Sequence, residues 1–153
     1  MNDMNAQPLS QIVSQFVKED EPRLNVLLFI ADQCNFACPY CYNRQPRTKM
    51  LADLDLLWKF VDDMHAKTQR KMTVSLIGGE PTLHPKMVDF CKKILSLKKT
   101  SVEILTNFSQ PLYYYLDLLE RGVKIAATWH GKANDKANLE YAKKMLRVPM
   151  KYF

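Results

Sequence analysis

The sequence predicts an α/β fold, a parallel sheet of four to five strands with helices on its outer face. Two observations carry this expectation. From Asn25 onward, apolar runs of strand length alternate with amphipathic stretches long enough for helices, and such alternation gives parallel pairing through right-handed crossovers. The joins carry turn residues, above all Gly78-Gly79-Glu80-Pro81 and Gly122. In sheets of this kind ligands gather where the loops after the strands converge, at the C-terminal strand ends.

Leu9 to Lys18 reads as a short leading helix, weakly amphipathic through Ile12, Val13, Phe16 and Val17. This sets residues 1–24 apart as an extension and 25–153 as the main domain. Asn25 to Ala31 is the first strand, and a cysteine-bearing loop runs from Asp32 to Pro46. In the helix expected over Asp53 to Gln69, Leu54, Leu57, Trp58, Val61, Met64 and His65 keep the i, i+3, i+4, i+7 rhythm of one buried face. Met72 to Ile77 is a second strand. Pro85 to Leu97 is a helix burying Met87, Phe90, Cys91, Ile94 and Leu95, with Pro85 in its first turn. Val102 to Thr106 is the third strand, and Leu112, Tyr115, Leu116 and Leu119 mark a helix capped by Gly122. Val123 to Thr128 is the fourth strand, Ala133 to Leu146 the last helix, and Val148 to Phe153 the start of a fifth strand.

Of 153 residues, 47% are hydrophobic and 25% charged, the proportions of a globular domain rather than of a disordered, collagenous or disulfide-stapled chain. The formal charge of +6 is spread out, with small clusters at Arg44, Arg47, Lys49 and at Lys92, Lys93, Lys98, Lys99. A nucleic-acid binder uses a denser stripe with interleaved aromatics, so solvated surfaces account for these residues and nucleic acid is not the expected partner. Met1 to Gln7 is polar, unlike the start of a secretion signal. The longest apolar run, Val26 to Ala31, is far short of the roughly 18 residues that cross a bilayer. A cytoplasmic location without membrane partners is expected, and there four cysteines argue for metal or redox chemistry over disulfides.

Three of those cysteines form Cys34-x3-Cys38-x2-Cys41 on the loop after the first strand. A structural zinc asks for four protein ligands. The remaining Cys91 falls on an apolar helix stripe, where a cysteine reads as a small hydrophobe, though it could complete a four-cysteine metal or redox-sensing site. Three local thiolates without a fourth suit a cubane iron-sulfur cluster with one iron free for another ligand. After the second strand, Gly78-Gly79 lets the backbone approach a ligand closely, and Glu80 supplies an acceptor for a cationic group.

Together, Cys34, Cys38, Cys41 with Tyr40 and the run Gly78-Gly79-Glu80-Pro81-Thr82-Leu83-His84-Pro85 resemble the radical S-adenosylmethionine (radical SAM) superfamily, in order and spacing from Asn25 to Gly131. The resemblance implies a partial (β/α) barrel. It also implies a 4Fe-4S cluster on the three cysteines, with S-adenosylmethionine chelated to the open iron through its amino and carboxylate groups. Gly78, Gly79 and Glu80 would hold the methionyl ammonium, and Tyr40 would lie near the adenine. By the same likeness Thr106, Asn107 and Thr128 at the third and fourth strand ends touch the cofactor, with His130 beside them. As bare residues, Thr106 and Asn107 equally suit a backbone-bonded turn, and His130 a polar loop. His84 and His65 read as loop and helix-face residues.

The implied reaction is reductive cleavage to methionine and a 5′-deoxyadenosyl radical that abstracts hydrogen from a substrate, a peptide or a small molecule. It requires an electron donor such as a flavodoxin or ferredoxin, for whose docking Arg44, Arg47 and Lys49 are available. The family barrel has six strands, so the resemblance also implies an N-terminal portion of a barrel; an inactive truncated remnant is the corresponding alternative.

Overall fold

Four parallel strands make up one sheet in the order β1-β2-β3-β4 in the computed structural model, which describes residues 22–41, 48–68, 70–129 and 135–152. The strands are β1 Arg23–Ala31, β2 Lys71–Gly78, β3 Thr100–Thr106 and β4 Lys124–Ala127. Helices α1 Leu54–Lys67, α2 Met87–Leu95, α3 Leu112–Glu120 and α4 Asp135–Met145 follow them in turn. Sequential strand order with a helix after each strand is the layout of a barrel wall. The expected leading helix, as well as Arg44, Arg47, Gln69, His130, Gly131 and Phe153, lies outside the described residues.

Register explains why one sheet face is core and the other is not. Val26, Val74 and Val102 stand side by side, as do Leu28, Leu76 and Ile104, all buried. Against them pack Leu54 and Val61 of α1, Met87, Phe90, Cys91 and Ile94 of α2, and Leu118 of α3. The alternate residues face away from the helices, in layers Asn25-Thr73-Ser101 and Leu27-Ser75-Glu103. Parallel strands covered on both faces are usually apolar throughout. Here the polar second face, with Leu27, Phe29 and Leu105 exposed on it, marks a surface that borders a cavity.

Local chemistry sets the helix ends. Asp53 caps α1, its Oδ1 accepting from the Asp55 and Leu56 amides at 2.9 and 3.3 Å, a cap worth about 1 kcal/mol. After a 3-10 turn, Pro81–Leu83, α2 starts at Met87 with Lys86 at its N-cap, so Pro85 precedes the helix instead of standing in its first turn. The His84 ring then accepts the Lys86 amide at Nδ1 (3.2 Å). The other ring nitrogen, Nε2, lies 3.1 Å from the Ala52 carbonyl; accepting at Nδ1 makes Nε2 the donor there. The lysines of α2 are exposed as expected, Lys92 pairing with Asp89 at 2.9 Å and Lys93 lying over the Trp58 ring.

Two expectations are corrected. Of the expected Leu112, Tyr115, Leu116 and Leu119, α3 fully buries only Tyr115 and adds Leu118, the other three being half-buried, because the Tyr115 hydroxyl sits 3.3 Å from Thr106 Oγ1 and accepts the Gln110 amide at 3.1 Å. Those bonds fix the helix rotation. The segment after Val148 forms a 3-10 turn, Met150–Tyr152, in place of a fifth strand, with the Tyr152 amide donating to the Pro149 carbonyl at 3.1 Å. Pro149 has no N–H for a sheet ladder.

Candidate functional site

At the C-terminal strand ends lies a cavity of about 750 Å3 lined by all three loop cysteines, Tyr40, Gly78, Gly79, Thr106, Asn107 and Thr128. The polar sheet face forms its floor, through Asn25, Thr73, Ser75 and Glu103 among Leu27, Ile77 and Leu105. Among the described residues, every site residue named from the sequence as a ligand or cofactor contact, apart from Glu80, therefore reaches one place.

The cysteine loop is fastened at its base. Asp32 Oδ2 accepts the Thr48 amide and hydroxyl at 2.6 and 2.7 Å, the Asp32 amide donates to the Met50 carbonyl, and Leu51 bridges antiparallel to Ala31. Within the loop the Cys41 amide donates to the Cys38 carbonyl at 3.1 Å, a turn that sets these two cysteines side by side. Cys34 Sγ accepts the Phe36 amide at 3.4 Å and the Asn107 side-chain amide at 3.9 Å. Tyr40, exposed on the rim, has its phenol pKa raised, first by desolvation and then by the neighbouring Cys38.

The glycines serve the chain's own packing. Gly78 has φ +143°, and a Cβ there would strike the Ala31 carbonyl; at Gly79 it would strike the backbone of Asp32 and Gln33. This close approach allows the Gly79 amide to donate to the Ala31 carbonyl (2.7 Å) and the Glu80 amide to the Gln33 carbonyl (2.8 Å). The end of β2 is thus sewn to the start of the cysteine loop.

Glu80, expected to face the methionyl ammonium, is held inside the protein. Its side chain is fully buried. Oε1 accepts the Thr82 amide at 3.1 Å and the Thr82 and Thr106 hydroxyls at 2.6 Å each, while Oε2 accepts the Asn107 amide at 2.7 Å. Four donors occupy the carboxylate, so it ties the turn after β2 to the end of β3. Thr106 likewise spends its hydroxyl inside the protein, where it also accepts the Phe108 amide at 3.1 Å.

Cys91 belongs to the core, fully buried on α2, on the side of the sheet opposite the face that floors the cavity. Burial pushes its thiol pKa up to about 12, which disfavours the four-cysteine site. Because the thiolate is the reactive form, iodoacetamide at about pH 8 is expected to label Cys34 and Cys41 first in metal-free protein. Cys91 should stay unlabelled until denaturation; peptide mapping by mass spectrometry checks the order.

The donor set fits the cluster that the sequence implies. Among the described residues no three His, Cys, Asp or Glu side chains gather as ligands of a single ion do. A cubane instead takes one thiolate at each of three iron corners, with N–H donors on the sulfurs. Three cysteines of one loop on one cavity, one of them already accepting two N–H groups, meet that demand.

Some of the machinery leaves little trace in the sequence. Asn35, which accepts from the Asn107 side chain at 2.8 Å and donates to Ser109 at 2.9 Å, and the Asp32-Thr48 clamp have no local pattern. The floor does have a signal: Ser101, Glu103 and Leu105 alternate with the apolar Val102 and Ile104, as on a strand with one face on a cavity.

Comparison with known proteins agrees with this geometry. The family model described as Radical SAM superfamily matches residues 28–146, more than half of the chain. A GTP 3',8-cyclase of Pseudomonas fluorescens (strain Pf0-1) is 32% identical over 100 residues, covering 62% of this chain and 29% of that protein. One from Microcystis aeruginosa (strain NIES-843 / IAM M-2473) is 35% identical over 84 residues, covering 51% and 25%. The match thus spans less than a third of these curated relatives. Among solved structures, BtrN in complex with AdoMet and 2-DOIA superposes with a TM-score of 0.69 at 22% identity, over 87% of this chain and 55% of that one. Native anSMEcpe with bound AdoMet gives 0.64 at 17%, over 86% and 41%. With a family model running from within β1 through the three-cysteine loop to the last helix, the chain belongs to the radical SAM superfamily, whose cofactors are S-adenosylmethionine and a 4Fe-4S cluster.

Proposed function

We propose that residues 25–153 are the cofactor-binding part of an enzyme that reductively cleaves S-adenosylmethionine and uses the 5′-deoxyadenosyl radical to abstract hydrogen from a substrate. The observation that carries this is the meeting of Cys34, Cys38 and Cys41 with Gly78 and Gly79 on one cavity. When bound, the cluster supplies the single electron that splits the sulfonium's carbon–sulfur bond, releasing methionine. Cys34, Cys38 and Cys41 would hold the cluster and leave one iron for S-adenosylmethionine. Gly78 and Gly79 would offer backbone without side-chain obstruction to the methionyl end and Tyr40 would lie near the adenine, while Thr128 and Asn107 line the same cavity. Glu80 serves from behind, holding the ends of β2 and β3 in place. Leu27, Ile77 and Leu105 keep part of the floor apolar, which limits water around a reactive intermediate.

The reductant in this reading is a flavodoxin or ferredoxin, and the substrate is a peptide or small molecule. The test is anaerobic reconstitution with iron and sulfide, followed by reduction with S-adenosylmethionine present. Formation of 5′-deoxyadenosine is expected, and a folded, cluster-loaded protein that makes none overturns the activity. Cys34→Ala, Cys38→Ala and Cys41→Ala should each abolish the cluster's visible absorbance. Cys91→Ala should keep it and cost on the order of 1 kcal/mol of stability. Loss of the absorbance in Cys91→Ala would reassign the ligands.

A further inference from the structure

We propose that Asn107 is a positioning residue for the cluster, donating an N–H···S hydrogen bond to Cys34 that raises the cluster's reduction potential. The proposal rests on the reading that Cys34 is a cluster ligand.

The donor's orientation follows from the bonds around it. The Ser109 backbone amide, which can only donate, points at Asn107 Oδ1 at 3.0 Å. This leaves Nδ2 facing Asn35 Oδ1 at 2.8 Å and Cys34 Sγ at 3.9 Å. A flipped amide would set its oxygen against the Asn35 oxygen and its NH2 against the Ser109 N–H. The backbone is fixed as well, because the Asn107 amide donates to Glu80 Oε2 at 2.7 Å and Glu80 is fully buried. A chain of contacts therefore runs from the Gly-Gly turn through Glu80 and Asn107 to one sulfur of the three-cysteine loop.

The direction of the effect is electrostatic. Reduction adds one negative charge, shared by the cluster and its thiolates, and an N–H dipole aimed at a sulfur stabilises the more negative state. With the donor present, the cluster accepts an electron from a weaker reductant.

The test is an anaerobic potentiometric titration of the cluster-loaded full chain, followed by electron paramagnetic resonance, without S-adenosylmethionine so that cofactor contacts cannot contribute. Asn107→Ala should shift the midpoint to more negative potential at unchanged iron and sulfide content. Asn107→Asp, which replaces the donor by a charged acceptor, should shift it further. A loaded Asn107→Ala protein with the parent's midpoint overturns the proposal and leaves the ligand reading intact, whereas a parent chain that loads no cluster removes both. A second measurement does not depend on the variants loading. Parent protein carrying asparagine labelled with 15N at the side chain should show a nitrogen hyperfine coupling to the reduced cluster, and its absence also overturns the proposal.

Discussion

Glu80→Ala is expected to destabilise the cofactor-free protein by about 4 kcal/mol, since each buried donor left without a partner costs about 1–3 kcal/mol. The Thr82 and Thr106 hydroxyls can turn to other acceptors, but the Thr82 and Asn107 amides lose the side-chain acceptor that Glu80 gives them. Such a loss is a large fraction of the roughly 5–15 kcal/mol by which domains are stable. Glu80→Gln should cost about 2 kcal/mol: its oxygen can replace Oε1, but its NH2 then faces the Asn107 N–H. Denaturant unfolding of metal-free protein measures both. The alternative, a side chain that serves only the methionyl ammonium, predicts parental stability for Glu80→Gln and weaker S-adenosylmethionine binding alone. That pattern would restore the role the motif suggests.

Glu80 also marks the limit of what the sequence reveals. The strands and helices were legible because they follow periodicities: Val26-Leu28-Ile30, Val74-Leu76 and Val102-Ile104 repeat every second residue, and α1 and α2 each turn one apolar face inward, with Leu54 and Val61 buried on α1 and Met87, Phe90, Cys91 and Ile94 on α2. The three thiols and the Gly-Gly turn were legible as local patterns at strand ends. A side chain's direction, by contrast, is decided by partners far along the chain. Glu80 meets Thr106 and Asn107, 26 and 27 residues away, and spacing around Glu80 carries no record of them. Tyr115 rotates α3 for the same reason, its hydroxyl bonding near the end of β3. At the far end, the apolar character of the residues after Val148 suggested a strand, and Pro149 decided otherwise.

The second large effect is at Gly79. Gly79→Ala should abolish or strongly reduce cluster loading while the sheet survives. The added methyl group meets backbone atoms of Asp32 and Gln33, which cannot turn aside as a side chain would. Either β2 withdraws or the start of the cysteine loop is pushed outward, and both break the Gly79-Ala31 and Glu80-Gln33 backbone bonds. Overpacking of this kind costs about 1–3 kcal/mol, and the two lost bonds add about 1 kcal/mol each. The sheet core, Val74 and Leu76 against Val26, Leu28 and Ile104, lies deeper and is untouched. Circular dichroism should therefore remain near the parent's while iron and sulfide per chain fall after reconstitution. An equally stable Gly79→Ala protein that loads a full cluster would mean that the cysteine loop does not depend on its contact with β2. The Gly-Gly pair would then matter only for the bound cofactor, and the same variant would lose S-adenosylmethionine affinity with its cluster intact.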